Sequence, residues 1–136
     1  MRAVKISRIL ALAATSSIVL WAGRAAASPP AVRVEMREFA FRPSVIRLPA
    51  GVPAVIDLVN SGQIAHQFDA PVLRHIPAAA ADDSMRVEAS GLEFVRVQPG
   101  RTARLFFVPR SRGRFKFSCS IEGHAEAGMV GVLEVR

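Results

Sequence analysis

Alternating apolar and polar residues dominate this chain from residue 31 onward. In residues 31–36, three apolar side chains alternate with Arg33 and Glu35, and successive side chains of a β-strand point to opposite faces. Comparable short runs, separated by turn residues, predict further strands over 45–48, 55–59, 94–97, 102–108, 114–119 and 130–135. Several short strands with turn residues between them are typical of an all-β sandwich or barrel.

The run 114–119 shows how one strand serves both the core and a site. Phe115, Phe117 and Cys119 share one face of this predicted strand, and the polar or basic residues between them share the other. Because the aromatic face belongs in the core, we expect Cys119 to lie at the end of this strand, on the face that points toward the core.

The segment 71–92 is the least regular part of the chain. Its alanine run, at 78–81, predicts one or two helical turns, and a strand is expected near residues 85–88. We therefore expect a short helix within this connection.

The first 27 residues have the layout of a secretory signal peptide. A basic start with Arg2, Lys5 and Arg8 precedes an apolar run over 9–23, and Ala25-Ala26-Ala27 offers small residues for cleavage. An uncleaved membrane anchor is the alternative, but the apolar run is shorter than the ~20 residues that span a bilayer. We therefore predict a signal peptide at 1–27, a single domain at 28–136, periplasmic localisation and no stable membrane insertion after cleavage.

Removal of residues 1–27 changes what the charge implies. The whole chain has 18 basic and 11 acidic residues, which gives a net charge of +7. Four of the basic residues and none of the acidic ones lie in 1–27, so the mature charge is only +3. Such a mild excess does not indicate a nucleic-acid partner. The remaining 109 residues suffice for one domain with its own core, which we expect to be a monomer.

Metal-ligand chemistry is concentrated in one segment near the C-terminus. Cys119, His124 and Met129 follow one another with the spacing Cys-x4-His-x4-Met, and His66 stands about fifty residues upstream. Thiolate and thioether are soft ligands that suit copper(I), and imidazole serves both copper oxidation states. Two histidines, one cysteine and a weak axial methionine form the ligand set of a blue-copper electron-transfer site. These four residues are therefore the predicted ligands of one copper ion that cycles between Cu²⁺ and Cu⁺.

The segment from Phe117 to Val135 resembles the C-terminal copper loop of cupredoxins, the type 1 blue copper proteins of the plastocyanin and azurin type. The upstream runs Phe39-Ala-Phe41-Arg-Pro43 and Asn60-x-Gly62-x-x-x-His66 are similar to the first strands of that family and to the segment of its first histidine. The resemblance implies an eight-stranded Greek-key β-sandwich with copper at one end and single-electron transfer as the function. It also implies that His124, between small residues, is an accessible electron port near which a redox partner protein docks.

Gln67 departs from the family pattern, in which the residue after the first histidine is often Asn. The Gln side chain is one methylene longer. The sequence therefore leaves open whether residue 67 makes the hydrogen bond that steadies the copper loop, a kind of contact that orients ligands and tunes the metal.

Two other functions are compatible with these features. A periplasmic copper(I) carrier or storage protein would use the same ligands, and a metal-free interaction domain would use the same fold. The four methionines, one of them Met1, do not cluster as in a methionine-rich carrier, which favours electron transfer. His75, Met85 and Met36 have suitable chemistry for copper but are interpreted as an exposed histidine and packing methionines. Three histidines and one cysteine are too few for the additional copper centres of oxidases and nitrite reductases, so no enzyme is predicted.

Overall fold

A computed structural model describes residues 31–136, which form eleven β-strands and one short 3₁₀ helix, Pro71–His75. The predicted signal peptide at 1–27 lies outside these described residues. Within 31–136, no helix has the length and apolar character needed to span a bilayer. In chain order the strands are β1 (Ala31–Arg37), β2 (Ala40–Arg42), β3 (Val45–Leu48), β4 (Ala54–Asn60), β5 (His66–Phe68), β6 (Ala78–Ala81), β7 (Arg86–Ala89), β8 (Val95–Val97), β9 (Thr102–Phe107), β10 (Gly113–Ser118) and β11 (Val130–Val135).

Two sheets enclose a common core. The larger has the order β2-β1-β4-β9-β6-β7, and the smaller has the order β10-β11-β3. The pairs β1/β4 and β11/β3 are parallel, whereas the other pairs are antiparallel. The chain passes from the larger to the smaller sheet between β2 and β3, returns to the larger sheet at β4 and passes to the smaller sheet again between β9 and β10. Strands β5 and β8 form a separate two-stranded ribbon. The predicted all-β Greek-key sandwich is confirmed, but residues 31–136 form eleven strands instead of about eight, and three of these strands are only three residues long.

The strands predicted from alternation match the observed strands to within one residue at each end. In β1, Val34 and Met36 are buried and Arg33 is exposed, as a half-buried strand requires. In β10, Phe117 is buried on the face that leads to the buried Cys119. Alternation was therefore sufficient to locate these strands and to orient them.

The connection 71–92 does contain a short helix, Pro71–His75, but the prediction that helical turns form over the alanine run 78–81 is wrong. Ala78–Ala81 forms β6, which lies between β7 and β9 in the larger sheet. The preference of alanine for helix amounts to less than about 1 kcal/mol per residue, and hydrogen bonding to a strand on each side outweighs it. The small side chains also fit beside two phenylalanines of β9 that are opposite them in the register.

Three phenylalanines pack together in the core near the end of β10. The ring centroids of Phe68 and Phe117 are 4.7 Å apart, and those of Phe41 and Phe117 are 5.0 Å apart. Phe68 follows His66 by two residues and Phe117 precedes Cys119 by two, so each ring shares a strand face with a predicted ligand. The packing of these rings therefore holds β5 and β10 in a defined relative position.

A buried carboxylate lies toward the other end of β11. Arg47 and Arg136 donate to one oxygen of Glu134 at 3.1 and 2.8 Å, and Arg114 donates to the other. The hydrogen bond from Arg136 and the positive charges of Arg114 and Arg47 lower the pKa of Glu134. At about 3.3 Å per residue, Glu134 is about 13 Å from Val130, where the strand begins.

Candidate metal centre

Two strand ends and one loop bring the predicted ligands together. His66 is the first residue of β5, and Cys119 directly follows β10. Asp69 and Ser118 exchange two backbone hydrogen bonds of 2.9 Å, which fasten the end of β5 to the end of β10. His124 lies farther along the loop that joins β10 to β11. Segments that are distant in the sequence therefore meet at one end of the sandwich.

The side chains of His66, Cys119 and His124 form a compact cluster. One ring nitrogen of each histidine and Sγ of the cysteine lie within 4.8 Å of one another. Sγ is 3.3 Å from Nδ1 of His124, and the two imidazole centroids are 5.3 Å apart. All three side chains are buried. In the part of the chain that the structure describes, no other group of three or more histidine, cysteine or acidic residues has spacing suited to a metal ion.

Backbone hydrogen bonds close the loop that carries the remaining predicted ligand, Met129. The N–H of Cys119 donates to the carbonyl of Met129, and the N–H of Met129 donates to the carbonyl of His124, each at 3.0 Å. Gly123 and Gly128 have φ angles of 79° and 106°, which glycine adopts without steric cost. The side chain of Met129 is fully buried and belongs to the core cluster. The loop is thus tied at both ends and at its middle.

Gln67 does make hydrogen bonds to the loop. Its backbone N–H donates to Sγ of Cys119 at 3.3 Å, and its Oε1 accepts a hydrogen bond from Oγ of Ser120 at 2.6 Å. The second bond links β5 to the residue after Cys119. The longer side chain therefore still reaches the loop.

His66 provides a test of whether these residues fit a metal. It is fully buried, and neither ring nitrogen has a hydrogen-bond partner. A buried polar group without a partner costs about 1–3 kcal/mol, so a ligand that uses one of these nitrogens would offset that cost. Burial lowers the pKa of His66, while the carboxylate of Glu38 opposes this shift and His124 adds to it. The neutral imidazole is therefore favoured, and it is the form that binds metal. Together with the sulfur donors, it fits copper.

Glu38, in the turn between β1 and β2, borders the cluster without any signal in the sequence. Its Oε1 is 3.4 Å from Nε2 of His66 and accepts hydrogen bonds from the backbone N–H groups of Gln63 and Ile64 at 2.6 and 3.0 Å. Its own backbone N–H and those of Ile64 and Gln63 lower the pKa of Glu38, so the group is a carboxylate at neutral pH. No local pattern marks this residue, because its partners are distant in the sequence.

His124 is less accessible than the small residues around it suggest. It is 7% exposed, because Phe39 packs edge-on against its ring with centroids 4.9 Å apart. Phe39 itself is 40% exposed. The surface at this point is therefore formed by Phe39 as well as by the edge of His124.

The other histidine and methionines considered as copper ligands do not join the cluster. His75 is exposed at the end of the 3₁₀ helix, and Met85 is 61% exposed rather than packed. Met36 is buried in the core of the sandwich, as predicted. The structure brings together the predicted histidine and cysteine ligands and leaves His75 outside.

The chain belongs to the cupredoxin-like domain family, whose sequence model matches residues 8–132. The family predicted from the copper-loop motif is therefore confirmed. Among curated proteins the chain is similar to the copper-resistant cuproprotein CopI of Rubrivivax gelatinosus. The two are 34% identical over 119 residues, which cover 84% of this chain and 71% of the relative.

Solved structures with the same fold include blue copper proteins and larger enzymes. Reduced auracyanin from Roseiflexus castenholzii matches with a TM-score of 0.55 at 15% identity, covering 78% of this chain and 96% of auracyanin. A multicopper oxidase from Campylobacter jejuni matches with a TM-score of 0.62 at 16% identity. That match covers 82% of this chain and only 31% of the oxidase. At such identities these likenesses show the fold alone.

Proposed function

We propose that this protein binds one copper ion through His66, Cys119, His124 and Met129 and carries single electrons between redox partners. The buried cluster of one thiol and two imidazoles, with both ring nitrogens of His66 unpaired, carries the proposal. Copper bound at a site of the blue-copper type supplies a one-electron redox couple. Membership of the cupredoxin-like family and the similarity to CopI support copper as the metal.

The role of the protein is to hold the donor atoms in one arrangement. Cys119 and His66 are attached to strands that pack through Phe117 and Phe68, and Sγ also accepts a hydrogen bond from Gln67. Donors held by a rigid scaffold change position little when the oxidation state changes. A small rearrangement favours fast electron exchange, so the rigidity of this end of the sandwich supports electron transfer.

We propose that the redox partner docks on the surface around Phe39, next to His124. Phe39 and Ile64 are 40% and 41% exposed. The N–H of Ile64 contacts the carboxylate of Glu38, the residue before Phe39, so both apolar side chains belong to the same end of the molecule. Electron-transfer encounters typically bury less than about 1,200 Å², and a small apolar surface of this kind suits them.

We further propose that residues 1–27 direct export to the periplasm and that residues 28–136 act there as a monomeric carrier without catalytic activity. The layout of residues 1–27 supports export. Of the three histidines and one cysteine in the chain, the proposed site uses two histidines and the cysteine. One remaining histidine is too few for the catalytic copper centre of an oxidase or a nitrite reductase.

A periplasmic copper(I) carrier or storage protein is the second candidate, and the name of the relative, copper-resistant cuproprotein, favours it. The same four ligands would serve. A carrier must exchange its metal readily, however, whereas Cys119, His66 and Met129 are fully buried here. This burial favours a metal that stays in place while electrons move.

Voltammetry combined with a chelator challenge tests the two functions. We expect the copper-loaded mature protein to have an intense visible band from thiolate-to-copper charge transfer and a reversible one-electron wave. We also expect it to retain copper in both oxidation states against bathocuproine disulfonate, a copper(I) chelator. Rapid loss of copper(I) to the chelator would favour the carrier. Absence of a strong visible band from fully loaded protein would refute the blue-copper site.

A further inference from the structure

A close contact between the carboxylate of Glu38 and the imidazole of His66 joins a surface turn to the donor cluster. Oε1 of Glu38 is 3.4 Å from Nε2 of His66, and the side chain of Glu38 is 30% exposed whereas that of His66 is fully buried. The contact does not meet hydrogen-bond geometry as it stands. A shift of the carboxylate by about 0.5 Å, into line with the Nε2–H bond, would produce an ordinary N–H···O hydrogen bond of ~2.9 Å.

The loop between β4 and β5 is shaped to hold this carboxylate. Two backbone N–H groups, of Gln63 and Ile64, donate to the oxygen that faces His66, at 2.6 and 3.0 Å. Gly62 leaves the necessary space, since a Cβ at this position would lie 2.4 Å from Oε1 and 2.8 Å from Oε2 of Glu38. The carboxylate is therefore held in place by the loop that leads to His66.

Asn60 fixes the shape of that loop. Its Nδ2 donates to the carbonyl oxygens of Ile64 and Val97 at 2.8 and 2.9 Å, and its Oδ1 accepts from the N–H of Gly62 at 2.9 Å. Asn60 is itself buried. The position of Glu38 beside His66 thus depends on a buried side chain and three backbone groups, which a chance surface contact would not require.

We infer that Glu38 is a positioning residue of the copper site: its carboxylate accepts a hydrogen bond from Nε2–H of His66 and leaves Nδ1 as the nitrogen that binds copper. The two ring nitrogens of an imidazole point away from each other, so the hydrogen bond made by one decides which nitrogen is free for the metal. This inference rests on the proposed function, because it concerns a ligand of the proposed copper ion.

The contact has a consequence for the reduction potential. A carboxylate that accepts the N–H of a metal-bound histidine raises the basicity of the ligand. A stronger donor stabilises copper(II) more than copper(I). Glu38 therefore lowers the reduction potential of the site and increases its affinity for copper(II).

Nitrogen-15 NMR of the metal-free protein tests the assignment of the ring nitrogens without any copper. We expect His66 in the wild-type protein to carry its proton on Nε2, with a through-space contact to Glu38. In the variant Gly62→Ala, where the added methyl group displaces the carboxylate, this preference should weaken. A proton on Nδ1 of His66 in the wild-type protein would overturn the inference.

Reduction potentials of three copper-loaded variants test the consequence. Glu38→Gln removes the charge, and Gly62→Ala keeps the charge but moves the carboxylate. Both should raise the potential and lower the affinity for copper(II) by about 10- to 100-fold. Glu35→Gln is the matched control, because Glu35 lies on β1 and bonds Arg37 and Ser61 instead of His66. It removes the same charge and should leave both quantities near those of the wild type.

The outcomes separate this inference from the proposed function. Wild-type protein that binds copper without a visible band would refute the blue-copper site, while the NMR experiment would still decide the role of Glu38. Coloured variants with the wild-type potential would overturn the role of Glu38 alone. Equal shifts in Glu38→Gln and Glu35→Gln, with no shift in Gly62→Ala, would also overturn it, because charge rather than contact would then be responsible.

Discussion

Two buried polar groups, Glu134 and His66, lie in different regions of this sandwich and differ in their hydrogen-bond partners. The carboxylate of Glu134 is surrounded by three arginines, which donate to both of its oxygens. His66 is more deeply buried, yet neither of its ring nitrogens has a hydrogen-bond partner. One group is satisfied by the protein, and the other is not.

The difference distinguishes a structural cluster from a functional one. A buried polar group normally finds a partner, and proteins break this rule mainly where function requires it. Glu134 obeys the rule and ties β11 to Arg47 of β3 and Arg114 of β10. His66 breaks the rule within 4.8 Å of a thiol and a second imidazole. The unsatisfied histidine is thus the stronger indication of a binding site.

The largest expected effect is the loss of colour when the thiol is removed. Cys119→Ser should abolish the visible band of the copper-loaded protein completely, because the band requires thiolate-to-copper charge transfer. The matched control is His75→Ala, which removes an exposed histidine outside the cluster and should leave the spectrum unchanged. Bleaching by His75→Ala would show that the proposed ligand set is wrong.

Apolar substitution at the two buried polar groups should have opposite effects on stability. His66→Leu removes a buried imidazole whose Nδ1 has no hydrogen-bond partner, and such an atom costs about 1–3 kcal/mol. The free energy of unfolding of the metal-free variant should therefore be about 1–2 kcal/mol higher than that of the wild type, since imperfect packing of the leucine offsets part of the gain. Glu134→Leu should reduce the free energy of unfolding, because three arginines lose their common partner. Urea denaturation of the metal-free proteins measures the free energy of unfolding of both variants. A His66→Leu variant less stable than the wild type would contradict the proposed contrast between His66 and Glu134.

The satisfied carboxylate should also make stability depend on acid pH. The pKa of Glu134 is lowered in the folded protein, mainly by the hydrogen bond from Arg136. The unfolded chain therefore takes up a proton first, near the ordinary glutamate pKa of about 4.3. The stabilisation is thus present above that pH and is lost as the pH falls toward the folded pKa. Glu134→Gln should flatten the pH dependence of the unfolding free energy below about pH 5. An unchanged slope would refute this role.

The smallest expected effect is at Met129, the proposed axial ligand. Met129→Leu removes the sulfur and keeps an apolar side chain of similar volume, a change that cores usually tolerate at a cost below about 1.5 kcal/mol. The variant should fold, bind copper and stay coloured, and its reduction potential should rise because the loss of a donor destabilises copper(II) more than copper(I). Voltammetry of both proteins in one buffer measures the shift. An unchanged potential would indicate that Met129 only packs in the core.

Local sequence determined most of the strands and the composition of the ligand loop. The period of two in β1 and β10 is visible within six residues, since neighbouring side chains of a strand always point to opposite faces. Cys119, His124 and Met129 occur within eleven residues, and their chemistry alone suggests copper. These properties could be predicted because each depends on residues that are close in the chain.

Tertiary structure alone decided the strand formed by Ala78–Ala81 and the contacts of Glu38 and Gln67. The alanines are held extended by β7 and β9, and their weak local preference for helix could not reveal this pairing. Glu38 comes to His66, and Gln67 to Ser120, across 28 and 53 positions of the chain. Such contacts depend on how the whole sandwich closes, because no pattern within a single strand or loop specifies which distant side chain will lie beside it.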